Sequence, residues 1–154
     1  MKSREADIRF PAVGFTPDGD MWGFANIDAL TECGSKTLKQ NLQSGMEVIG
    51  SDGRRWVVRS IGRLGRNRPF LPWLFWALMS GPGWRIEQEL EELPPVTLGD
   101  IKARAIRFLE AHPEDYCPDG LDSKEFNRLL AQVRAAKSVA KLDKLLGLDW
   151  FIAY

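Results

Sequence analysis

The residue pattern predicts an α+β fold: an N-terminal antiparallel sheet of four to five strands packed against C-terminal helices. Two-residue alternation and turn signals fill the chain up to Leu93, as strands require. Pro94-Pro95 then interrupts it, and beyond Val96 the apolar residues recur at helical spacing. With 154 residues and no internal repeat, the chain fits one domain, 1–93 mainly strand with a short helical insert and 97–154 mainly helical.

Residues 8–15 read as a first strand, which Pro11 places at a sheet edge because proline cannot donate to a ladder. Thr16-Pro17-Asp18-Gly19-Asp20 is a turn, and Met21-Trp22-Gly23-Phe24 returns as a second strand. Asn26 or Asp28 caps a short helical stretch; a second runs over 35–42 and is ended by Gly45, which can take a left-handed conformation. The clearest hairpin joins 46–49 to 54–63 around Asp52-Gly53. On its second strand Trp56, Val58 and Ser60 share one face, while Val57, Arg59, Ile61 and Arg63 share the other. Both faces carry apolar groups, so one is buried and the other half covered. The apolar run from Phe70 to Met79 contains Pro72 and is either a buried element or a sticky surface. Its ten residues fall short of the roughly 20 a membrane-spanning helix needs. Residues 84–93 read as a strand with Glu87, Glu89 and Glu91 along one face, with a helix as the alternative.

Beyond the prolines, Thr97 and Asp100 resemble a capping box, followed by the stripe Leu98, Ile101, Ala105, Phe108 and Leu109. Asp122 caps a second helix with the stripe Phe126, Leu129, Leu130 and Val133. Ser138 starts a third, with Val139, Leu142, Leu145 and Leu146 inward and Lys137, Lys141 and Lys144 outward. Gly147 closes it, and Trp150, Phe151, Ile152 and Tyr154 form an apolar tail.

The composition, 44% hydrophobic and 27% charged, is that of an ordinary globular chain, and the first seven residues carry no secretory pattern. Chemistry is sparse. His112 is the single histidine; it stands in the last turn of a helix halted by Pro113, where a cation complements the helix dipole. A cysteine nucleophile would need His112 with Cys33 or Cys117, and zinc would need all three plus a carboxylate. Neither set has the spacing of a known motif. Unpaired thiols point to a reduced, cytoplasmic chain. Asp115-Tyr116-Cys117-Pro118-Asp119-Gly120 opens like a calcium loop. Phe126 then stands where the bidentate glutamate belongs, so the segment reads as an acidic turn. Ser80-Gly81-Pro82-Gly83 lacks the lysine and helix start of a phosphate loop. The expectation is a binding protein with no enzyme activity, cofactor or metal.

Net charge is zero but segregated. Residues 54–68 hold six arginines (Arg54, Arg55, Arg59, Arg63, Arg66, Arg68) and no acid, whereas residues 85–125 hold five bases and eleven acids. Two solvated faces, or one patch neutralising the other across the fold, is the plain reading. The functional alternative is a nucleic-acid or general interaction module in which those arginines meet phosphates and Trp56 stacks on bases. A sequence pI near 6.6 argues against a dedicated nucleic-acid binder. Gly45-Met46-Glu47-Val48, Asp52-Gly53 and Trp56-Val57-Val58 resemble hairpins of small Src-homology-like barrels over about 20 residues.

A longer series covers most of the chain: Trp22-Gly23-Phe24, Asp28-Ala29-Leu30-Thr31, Gly45-Met46, Asp52-Gly53-Arg54, Thr97-Leu98-Gly99-Asp100-Ile101-Lys102, Asp122-Ser123-Lys124-Glu125-Phe126, Val133, Ala136, Ser138 and Leu145-Leu146. This order resembles small bacterial immunity proteins of toxin competition loci. The resemblance implies an α+β fold and inhibitory binding to one cognate toxin in the cytoplasm, as a monomer or small homo-oligomer. It assigns no functional residue. If the toxin acts on nucleic acid, Glu87, Glu89, Glu91, Glu92, Glu114, Asp115 and Asp119 are the expected phosphate mimics. Trp73 and Trp76 are the expected aromatic anchors if their run is exposed. No membrane partner is expected.

Overall fold

In the computed structural model, which describes residues 1–116 and 124–148, the Asp52–Gly53 turn forms as the residue pattern requires. Gly53 takes φ +84, the Arg54 amide donates to Asp52 Oδ1 at 3.1 Å, and the Gly50 amide donates to Arg54 O at 2.9 Å. The turn joins β4 (Glu47–Ile49) to β5 (Arg55–Arg66). Upstream lie β1 (Ala12–Phe15), β2 (Met21–Phe24), α1 (Ile27–Leu30), β3 (Glu32–Gly34) and α2 (Ser35–Lys39). Downstream, α3 (Phe70–Ser80) separates β5 from β6 (Gly83–Leu93), and α4 (Leu98–Ala111), α5 (Pro113–Tyr116), α6 (Lys124–Ala135) and α7 (Val139–Leu146) follow. The fold is α+β: one antiparallel sheet of order β2-β1-β4-β5-β6-β3, with the longer helices C-terminal.

Alternation along the strands gives each face of the sheet its own core. Val13, Phe15, Met21 and Ile49 point to the C-terminal helices, where Ile101, Ala105, Phe108 and Leu109 of α4 meet Phe126, Leu130, Val133, Val139, Leu142 and Leu146. Ala12, Phe24, Val48, Trp56, Val58 and Leu90 point the other way, against Ile8, Leu30 and Met46. The stripes expected of the helices are therefore the buried ones, and Lys137, Lys141 and Lys144 are exposed. The expected caps form as well. Thr97 and Asp100 make a reciprocal box, Ser138 accepts from the Lys141 amide, Asn26 accepts from the Ala29 amide, and Gly147 is left-handed at φ +59.

Three expectations need correction. β1 is not an edge strand: it pairs with β2 and β4, and Pro11 causes no lost ladder bond because it precedes Ala12. The sheet has six strands because Glu32–Gly34, inside the stretch read as helical, adds to the free side of β6. The helix over 35–42 stops at Lys39, with Asn41 rather than Gly45 making the left-handed exit (φ +52). Gly45 keeps a positive φ, but its amide donates to Val58 O and so leads into β4. The Asp122 cap, Cys117, Asp119 and the tail at Trp150, Phe151, Ile152 and Tyr154 lie outside the described residues. Among the described residues no helix is long and apolar enough to cross a membrane.

Candidate docking limb

The register of the β5–β6 hairpin decides what each candidate charge meets. Trp56 lies opposite Glu92 and Val57 opposite Glu91, so the basic and acidic segments meet at the body end of the hairpin. Arg54 pairs with Glu92 at 2.9 Å and Asp7 at 3.2 Å, and Arg59 with Glu91 at 2.6 Å. Arg55 pairs with Glu47 at 3.1 Å and also donates to Pro94 O. Further along β6, Glu87 holds Lys2 at 3.0 Å and Glu89 holds the N-terminal ammonium at 3.3 Å. The four expected phosphate mimics on β6 are thus each engaged within the chain. Glu114 and Asp115 stand exposed on α5, a separate element beside α4. Trp56 is 1% exposed and belongs to the core, so it offers no ring for a base to stack on. That removes Trp56 from the nucleic-acid reading.

The far half of the same hairpin is different. Arg63, Arg66 and Arg68 have no carboxylate partner among the described residues and lie over rings instead. Arg63 covers Trp84 at 4.8 Å, Arg66 covers Phe70 and Trp73 at 4.8 and 4.9 Å, and Arg68 covers Trp76 at 4.8 Å. These contacts tie the hairpin to α3. Trp73 is half-buried: its Nε1 donates to Gly83 O at 2.8 Å and its ring meets Trp84 edge-on at 5.4 Å. Trp84 in turn donates to Ser35 Oγ at 2.9 Å, and Asn67 Nδ2 donates to Glu32 on β3 at 3.3 Å. Trp73 therefore ties α3 to the hairpin through its indole nitrogen and ring edge. Trp76 remains 46% exposed.

No residue of α3 is buried. Leu71 (74% exposed), Phe75 (60%), Leu78 (79%) and Met79 (71%) face solvent, with Phe70 and Leu74 beside them. Of the two readings of this run, the sticky surface is the one the fold adopts. Contiguous exposed apolar groups on this scale mark an interaction site, whereas scattered single ones are ordinary. Sequence reasoning named only the two tryptophans. The outer residues Leu71, Phe75, Leu78 and Met79 carried no signal of their own, because an apolar run reads alike whether it is covered or bare.

A second feature is a hollow of about 410 Å³ between the β1–β2 turn and α4, lined by Phe15, Asp18, Glu47, Arg104, Phe108 and His112 among others. Its central carboxylate, Glu47, is paired with arginine. Burial alone would raise the Glu47 carboxyl, but Arg104 (3.0 Å) and then Arg55 hold it below the ordinary glutamate range. His112 donates from Nδ1 to Phe108 O at 3.0 Å, and its Nε2 lies 3.4 Å from Asp20. It caps α4, as a dipole complement should. Cys33 is a buried free thiol on β3, pushed up to about 11 by burial, and sits at the opposite sheet edge from the β2 end that His112 faces. A thiol so raised is a poor nucleophile. Among the described residues no three His, Cys, Asp or Glu side chains cluster to hold a metal.

No family model matches this chain, and neither does any curated protein or solved structure, so the limb and the hollow are judged on their own chemistry.

Proposed function

We propose that this chain acts by binding rather than by turnover, and that α3 with its arginine collar is the surface by which it attaches to its target. The observation that supports this most is the bare outer face of α3. A core-forming chain of this size has no structural need to expose Leu71, Phe75, Leu78 and Met79 together. The hollow beside His112 offers an internally paired carboxylate and a capping histidine, which is weak equipment for acid–base chemistry.

For the whole molecule we propose the role that the resemblance implies: an immunity protein that neutralises a bacterial toxin domain by occlusion in the cytoplasm. The limb then holds it where it acts. Because the β6 acids are engaged within the chain, the phosphate-mimic mechanism receives less support than attachment through apolar and aromatic groups. The test is co-expression with the product of the neighbouring gene. Rescue from toxicity and a recovered complex are expected, and Leu71→Glu/Phe75→Glu should weaken rescue at least tenfold. Absence of both rescue and complex would end the immunity role.

A further inference from the structure

We propose that α3 is an interfacial anchor that lies flat in the headgroup region of an anionic lipid bilayer. The inference rests on the reading of the limb as an attachment surface and names what it attaches to. At 100° per residue, Phe70, Leu71, Leu74, Phe75, Leu78 and Met79 cover about half of the helix circumference. With eleven residues α3 extends about 16 Å, which suits lying in the plane of a membrane and is far from enough to cross one. The expectation of no membrane partner rested on span length alone, and an interfacial helix does not need it.

Charge points the same way. Residues 62–86 contain four arginines and no acid. Arg63, Arg66 and Arg68 are spent on rings, and neither they nor Arg85 forms an ion pair among the described residues. Glu32, opposite Arg85 in the register, accepts from Asn67. The limb therefore sets exposed apolar side chains beside guanidinium groups that lie over Phe70, Trp73, Trp76 and Trp84. Apolar groups, aromatic rings and cations side by side are what the boundary between acyl chains and anionic headgroups accepts. Two copies meeting limb to limb would oppose the same four positive charges on each side, so a second copy is the poorer occupant.

Cosedimentation of the full chain with vesicles tests this. Vesicles of phosphatidylglycerol and phosphatidylcholine should bind it, pure phosphatidylcholine at least tenfold less, and added salt should weaken the difference. Leu71→Glu/Phe75→Glu and, separately, Arg66→Glu/Arg68→Glu should each lose at least tenfold. Because α3 has no buried side chain, circular dichroism should show the variants folded. No binding to anionic vesicles at low salt, or equal binding by the apolar variant, overturns the proposal. If vesicles are ignored while the same variant abolishes rescue from the toxin, the limb docks on protein; this inference falls and the proposed function stands. Vesicle binding without any toxin complex has the reverse meaning.

Discussion

The two halves of the β5–β6 hairpin each carry three arginines with aromatic neighbours, yet have opposite fates. At the body end Trp56 is buried and Arg54, Arg55 and Arg59 face carboxylates. At the limb end Trp76 is half exposed, and Arg63, Arg66 and Arg68 have only rings beneath them. Register separates them. Antiparallel pairing brings the acid-rich end of β6 to the start of β5, and leaves the far arginines beside Ile86, Arg85 and Trp84. A block of like charge in a sequence is therefore not one surface; the partner strand divides it.

The widest contrast expected is between the two tryptophans. Trp56→Ala opens the core between the sheet and Met46, Val58 and Leu90 and should cost about 3–5 kcal/mol in denaturant unfolding. Trp76→Ala, on the bare helix, should change stability by less than about 0.5 kcal/mol. Comparable losses at both sites would mean that α3 is packed after all. Two glycines repeat the comparison at smaller scale. A Cβ on Gly23 would strike the Asp143 carboxylate of α7 and Leu148 just beyond it, so Gly23→Ala should cost about 1–3 kcal/mol. On Gly83 the nearest atoms it would meet belong to the Asn67 side-chain amide, which can give way at the expense of its 3.3 Å bond to Glu32. Gly83→Ala should therefore unfold close to the wild type, and a larger loss there than at Gly23 would reverse the assignment of rigid body and loose limb.

Acid separates body from limb next. Glu47 is held low by Arg104 and Arg55 against the opposing effect of burial. Its contribution is thus complete above the unfolded glutamate value and is lost as pH falls through the lower folded value. Glu47→Gln should cost about 1–2 kcal/mol at neutral pH. The gap from wild type should hold from neutral pH down to the ordinary glutamate value and close over the acidic interval below it. A gap constant over that interval would show that the Glu47–Arg104 pair gives no charge-dependent stability. Nothing comparable is expected on the limb, which has no acid between 62 and 86.

Local signals were legible where one element decides the outcome. Asp52-Gly53, the Thr97–Asp100 box, the helical stripes and Gly147 all depend on neighbours within a few residues. What was not legible needed a second element. Pro11 suggested an edge because nothing local reveals that β4 arrives on the other side of β1. Glu32–Gly34 is too short to show a period and becomes a strand only because the side of β6 away from β5 is free to pair. The candidate site divides in the same way. Trp76 and Arg66 were among the residues named, but the split between engaged and unpaired charges follows from a register no composition encodes. Trp56 looked available for stacking for the same reason: its strand alternates, and alternation leaves open which face is dry.

The smallest effect expected is also the most direct probe of that split. Arg59 donates to Glu91 at 2.6 Å and holds its carboxyl below the ordinary range, first through the hydrogen bond and then through charge. Both groups are solvent-exposed, so Arg59→Ala should hardly move stability, and less still at high salt. The Glu91 titration followed by NMR should nevertheless shift upward in Arg59→Ala and stay in place in Arg66→Ala, whose guanidinium lies over Phe70 and Trp73. An unchanged Glu91 in Arg59→Ala would mean that the body-end pair does not persist in solution. The β6 acids would then be free to meet a basic cleft, and the balance between phosphate mimicry and apolar attachment would turn towards the former.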